Sequence, residues 1–79
     1  MIMSGSKQAT IHQVQLIDIH GTRFYDLAYA HTEAPAAIRT TRVGAESVYE
    51  QPQAGDQAQI SYLMNVVVAV ARLKQKEQL

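Results

Sequence analysis

Apolar and polar side chains alternate along much of this chain. Val14 and Leu16 interleave with Gln13 and Gln15, the two-residue period of a half-buried strand, and a strand is expected over 9–19. The phase then changes, because Ile17 and Ile19 fall on the other parity. A β-bulge near Leu16-Ile17 would return both sets to one face; a strand end buried on both faces is the alternative. His20-Gly21 follows, two residues that tolerate positive φ, and predicts a tight hairpin turn. The second strand is expected over 22–30, with Phe24, Asp26, Ala28 and Ala30 on one parity and Arg23, Tyr25, Leu27 and Tyr29 on the other. Neither parity is plainly the core.

Pro35 lacks a ladder donor, and residues 31–36 read as a loop. Ile38, Thr40, Thr41 and Val43 then favour a third strand over 37–43, ended by Gly44. A short edge strand is expected at 47–49. Pro52 and Gly55 make 51–56 a loop.

Residues 57–73 carry two patterns. Ala58, Ile60 and Tyr62 alternate with Gln57, Gln59 and Ser61, and the four valines at 66, 67, 68 and 70 favour a returning strand. A hairpin turning at Met64-Asn65, with Asn65 left-handed, is the favoured reading. Against it, Ile60, Leu63, Met64, Val67, Val70 and Ala71 also sit at helical spacing, and Asp56 with Gln59 resembles a capping box. The expected fold is therefore mostly β: a small antiparallel sheet of five or six strands, or an SH3-like or OB-like barrel. The alternative is an α+β domain whose C-terminal helix covers about 57–76.

With 79 residues the chain supports one domain, expected over 9–73, between a loose arm at 1–8 and a polar tail at 74–79. A domain this small buries only about 60% of its unfolded surface. Disulfides, a metal or an oligomer interface often make up the difference. There is no cysteine, so disulfides and thiolate metal sites are excluded, and self-association is left. Seven basic residues balance seven acidic ones, whereas duplex-binding proteins usually carry a basic excess. No apolar run is long enough for a signal peptide or a membrane span, and a soluble, cytoplasmic protein with no membrane partner is expected.

The chemistry-bearing residues are sparse. His12, His20 and His31 match no ligand spacing and are expected at the surface, and no cofactor is implied. Asp18 and Asp26 flank the first hairpin, but a carboxylate pair without a cleft gives little reason to expect catalysis. No serine stands in a nucleophile motif, and the isolated glycines form no phosphate loop. Arg23, Tyr25, Arg39 and Arg42 are candidates for gripping single-stranded nucleic acid, as arginines and aromatics do on OB-type sheets. Val66, Val67, Val68 and Val70 are candidates for an oligomer interface. As a strand, this segment would put Val66, Val68 and Val70 on one side and Val67, Ala69 and Ala71 on the other, leaving both faces apolar.

These residues point to a non-enzymatic binding or assembly module that self-associates. Single-stranded nucleic-acid binding is the runner-up, and a small-molecule-binding protein or minor enzyme comes third.

Overall fold

A computed structural model describes residues 4–73. The tail at 74–79 and residues 1–3 of the expected arm lie outside this range. Within it the chain forms β1 (Gly5–Ile19), β2 (Thr22–His31), β3 (Ile38–Gly44), a 3-10 turn (Ala45–Ser47), β4 (Gln57–Leu63) and β5 (Val66–Arg72). The strands make one antiparallel sheet in the order β3-β2-β1-β4-β5. The mostly β expectation holds, and 57–73 is the hairpin rather than the helix. Among the described residues no helix is long and apolar enough to cross a membrane.

β1 starts earlier than the sequence suggested. Residues 5–8, assigned to the loose arm, are strand: Gly5 pairs with Tyr62, Ser6 with Ser61 and Lys7 with Ile60. The long β1 belongs to two halves of the sheet. Its first part pairs with β4, and from Ala9 to Ile19 it pairs with β2. The bulge lies at His12, where the register with β2 shifts between Ile11 and Gln13, and not near Leu16-Ile17. It sits just where β1 leaves β4, and an unpaired residue bends and twists its strand there.

The sheet curls toward closure. After the 3-10 turn, Val48 bridges Val70 in parallel, and the Tyr49 N–H donates to the Val70 carbonyl at 3.1 Å. The expected edge strand at 47–49 is thus a turn ending in a single bridge, but it joins the two outer strands into a partly open five-stranded barrel. The core fills the inside: Ala9, Ile11, Leu27, Tyr29, Val43, Val48, Ala58, Ile60, Tyr62 and Val70 are buried. Both hairpin turns carry two residues at positive φ, His20-Gly21 (53° and 86°) and Met64-Asn65 (52° and 71°), whose twist matches that of the flanking strands. The Gly21 N–H also donates to Asp18 Oδ1 at 2.8 Å, which secures the first turn.

Candidate functional site

Strand alternation distributes the charged residues between the two faces. Arg23, Tyr25 and Arg39 share the parity of Leu27 and Tyr29, the side that turns into the barrel, whereas Arg42 lies on the outer side. Tyr25 packs against the core, while Arg23 and Arg39 are exposed toward the rim. Arg42 stands directly opposite Asp26 and grips it with both arms, Nε to Oδ1 at 2.7 Å and Nη2 to Oδ2 at 3.1 Å. The Arg42 guanidinium holds the Asp26 carboxyl below the usual carboxylate range. The four residues proposed for nucleic acid therefore do not converge on one surface. Asp18 and Asp26 likewise fall on opposite parities.

The outer face of β1, β2 and β3 forms a shallow groove of about 440 Å³. Ala28 floors it, Gln13 and Gln15 stand on one side, Thr40 and Arg42 on the other, and Asp26 lies at one end. Its lining includes a carboxylate but no histidine, and its single ion pair leaves it without net charge. Neutral amides and hydroxyls there can hydrogen-bond a polar ligand; they offer no nucleophile and no proton-transfer pair. Among the described residues no cluster of histidine and carboxylate groups could hold a metal ion.

The valine segment divides differently from its sequence parity. Ser61 pairs with Ala69 but Tyr62 pairs with Val67, so Val68 is an extra residue and the ladder shifts around it. Val66, Val68 and Val70 therefore do not share a face. Val70 is in the core and Val67 packs on it, whereas Val66 and Val68 are exposed. Beside them the turn adds two residues that the sequence reading did not single out. Leu63 is 59% exposed, Met64 64%, Val66 61% and Val68 43%. Leu63 and Val66 are directly paired, which makes one apolar surface at the tip of the β4–β5 hairpin. A signal for it was present: Leu63 and Met64 enter a turn, where polar residues usually stand.

Inside the barrel lies a polar cluster. His31, expected at the surface, is only 3% exposed because β2 runs one residue past Ala30 and turns it inward. Its Nε2 is 2.7 Å from the Tyr62 hydroxyl, which is 2.7 Å from the Tyr29 hydroxyl. Tyr62 meets the imidazole edge-on, with centroids 5.7 Å apart at 87°. Ala9 pairs with His31 on one side and Ala58 on the other, and these small residues leave room for the three rings. Burial, then the positive charges of Arg39 and Lys7, lower the His31 pKa; the Glu33 carboxylate opposes them. Burial and the bond to Tyr62 push the Tyr29 phenol well up. Sequence spacing gave no sign of this cluster, since Tyr62 lies 31 positions from His31.

A second polar centre closes the loop before β4. Asp56 Oδ2 accepts from the Tyr49 hydroxyl at 2.6 Å and from the Gln53 N–H at 3.0 Å, and Arg72 lies 3.8 Å from Oδ1 and over the Tyr49 ring. Asp56 joins Tyr49 and Gln53 through one oxygen, and this ties the loop to the barrel's closing edge.

Comparison with protein families, with curated proteins and with solved structures finds no match for this chain.

Proposed function

We propose that this protein is a non-enzymatic binding module that works as a homo-oligomer, joined through the apolar tip of the β4–β5 hairpin. The tip carries the reading. Leu63, Met64, Val66 and Val68 are four of the seven large apolar residues left exposed among the described residues, and they stand together. Met64 strengthens the case. A left-handed backbone costs an ordinary L-residue about 1–2 kcal/mol, and glycine or asparagine would usually take that position. A long apolar side chain held at φ 52° in water is an expensive arrangement unless something covers it. An apolar hairpin beside an open strand edge is also an aggregation template, and a second copy is the economical cover for a self-complementary surface. Sedimentation equilibrium from low to high micromolar concentration tests this directly. A mass that rises with concentration supports the reading, and a monomer throughout refutes it.

Single-stranded nucleic-acid binding is the second reading. The groove on the outer face of β1, β2 and β3 favours it, because OB-type barrels use that face. Two features weigh against it: Arg42 is already held by Asp26, and no aromatic lines the groove for a base to stack on. Its test is oligonucleotide binding at low salt, with affinity that falls steeply as salt rises and weakens when Arg39 and Arg42 are both replaced by alanine.

A further inference from the structure

We propose that His31 is a pH-sensitive latch: while neutral it ties the β4–β5 hairpin to β2 through Tyr62, and proton uptake releases the hairpin and with it the associating surface. The latch stands on the geometry of the buried cluster; its consequence for assembly rests on the self-association reading.

β2 and β4 are not neighbours in the sheet, since β1 runs between them. The His31–Tyr62 and Tyr29–Tyr62 hydrogen bonds cross over β1 and join the two strands side chain to side chain. Tyr62 stands at the base of the tip. It pairs with Val67, and the next pair outward is Leu63 with Val66. Beyond that tie the tip is held to the start of the chain by the Gly5–Tyr62 pairing and the Met64 N–H bond to Ser4 Oγ at 3.3 Å. Losing the Tyr62 hydroxyl contacts therefore loosens the part of the hairpin that carries the exposed apolar residues.

The hydrogen-bond directions make the tie specific for neutral histidine. Within the triad only one direction uses both hydroxyl hydrogens: Tyr29 donates to Tyr62, and Tyr62 donates to His31 Nε2. That requires Nε2 to be an acceptor, with the ring proton on Nδ1. A proton added at Nε2 turns it into a donor. Tyr62 can then no longer donate to the ring, and whichever way the hydroxyls turn, one of the two phenol hydrogens is left without an acceptor in a buried site, which is costly. The charges around the ring act in the same direction. Lys7 from β1 and Arg39 from β3 oppose a second cation, and Glu33, beyond the end of β2, attracts one but is drawn off by Lys7, whose Nζ lies 2.7 Å from its Oε2. Tyr29 on β2 and Tyr62 on β4 complete the ionisable surroundings, and β5 presents Val67 and Val70 on that side.

The sign follows. Folding holds the imidazole neutral and lowers its pKa, so the unfolded or released form binds the proton more readily. The stabilisation is complete above the ordinary histidine value of about 6.5 and is lost as pH falls below it. Acidification, not alkalinisation, opens the latch.

The test uses dilute protein and hydrogen-exchange protection factors of the β5 amides, which correct for the intrinsic effect of pH on exchange. Between about pH 7.5 and about pH 5, on either side of the ordinary histidine range, wild-type protection is expected to fall by about tenfold or more. His31→Gln removes the titrating group, and its protection should change little over the same range. Tyr62→Phe keeps the ring and deletes the tie, so its hairpin should exchange at high pH as the wild type does at low pH. A double variant lacking the exposed His12 and His20 should behave as wild type. Equal wild-type protection at both pH values overturns the latch, as does a His31→Gln variant that follows the wild type or a Tyr62→Phe hairpin protected throughout. Sedimentation at the same two pH values reads the second half. Dissociation on acidification of the wild type but not of His31→Gln supports coupling to assembly. A wild-type monomer at both pH values overturns that coupling together with the self-association reading, while the exchange result still decides the latch.

Discussion

Replacing Val66 by lysine tests the proposed interface at a residue that contributes little to the barrel. Val66 is 61% exposed, pairs only with the equally exposed Leu63, and lies outside the core. Complete burial of a valine side chain is worth about 1.5–3 kcal/mol. Covering the three-fifths still open would thus contribute about 1–2 kcal/mol in each protomer. A two-fold interface contains the residue twice, so losing it removes about 2–4 kcal/mol, before any repulsion between the two lysines. That weakens association by about 30- to 700-fold. Sedimentation equilibrium reads the change, and a urea titration of the dilute protein confirms that the barrel is intact, since lysine is tolerated on an open strand edge. If Val66→Lys associates as tightly as the wild type, the hairpin tip is not the interface, and the argument from its exposed apolar surface fails.

Three other substitutions test the barrel that carries the tip. Ile60 is fully buried between β1 and β5, and Ile60→Ala should cost about 2–5 kcal/mol, seen as a lower urea midpoint with an unchanged slope. Ile38→Ala, at a position 54% exposed, should barely move the midpoint. Asp56→Ala leaves the Tyr49 hydroxyl and Gln53 N–H without their acceptor and should cost about 1–3 kcal/mol. The Tyr49 hydrogen bond lowers the Asp56 pKa, so this contribution is present above the ordinary carboxylate value of 3.8 and lost as pH falls below it. The stability gap between Asp56→Ala and wild type, followed by urea titration, should therefore narrow at strongly acid pH.

The strands and both tight turns were legible because each is a local matter: a two-residue period, a β-branched run, or a pair of residues tolerant of positive φ. The choice between hairpin and helix at 57–73 also followed local chemistry, since stiff valines suit a pleated strand. What stayed hidden depends on partners remote in sequence. Residues 5–8 looked like a loose arm because Ser6, Lys7 and Gln8 are polar, yet their backbone is claimed by β4. His31 looked like a loop residue because it precedes Thr32, Glu33 and Pro35; only the curl of the sheet brings it under Tyr62. Arg42 looked free for a ligand until register set it against Asp26.

The phase change near Leu16-Ile17 had two readings, a bulge there or a strand end buried on both faces; the observed bulge lies at His12 instead, and Leu16 and Ile19 are exposed. Ile11 faces inward, and regular alternation from it would turn Gln13 in and Val14 out. The observed register instead pairs Ile11 with Tyr29 and Val14 with Leu27, with His12 as the residue left over. Leu16 consequently keeps Val14's side, while a half-buried Ile17 and an exposed Ile19 take the outer one, so the apparent phase change near Leu16-Ile17 reflects apolar residues on the outer face at the hairpin end rather than a second shift. This assignment predicts the effect of deleting His12. Every later side chain keeps its partner on β2, because the deletion removes the one unpaired residue and makes the ladder regular. What is lost is the bend that lets β1 leave β4 and follow β2 around the barrel. The variant should therefore fold with the same residues buried, but with closure strained at the Val48–Val70 bridge and stability lower by about 1–3 kcal/mol. Amide exchange should show the loss concentrated at Tyr49, whose N–H bonds Val70 across the seam. Deleting Leu16 instead would reverse the faces of Ile17 to Ile19 and is the control. A His12 deletion as stable as the wild type, with Tyr49 fully protected, would show that the barrel does not need the bulge to close.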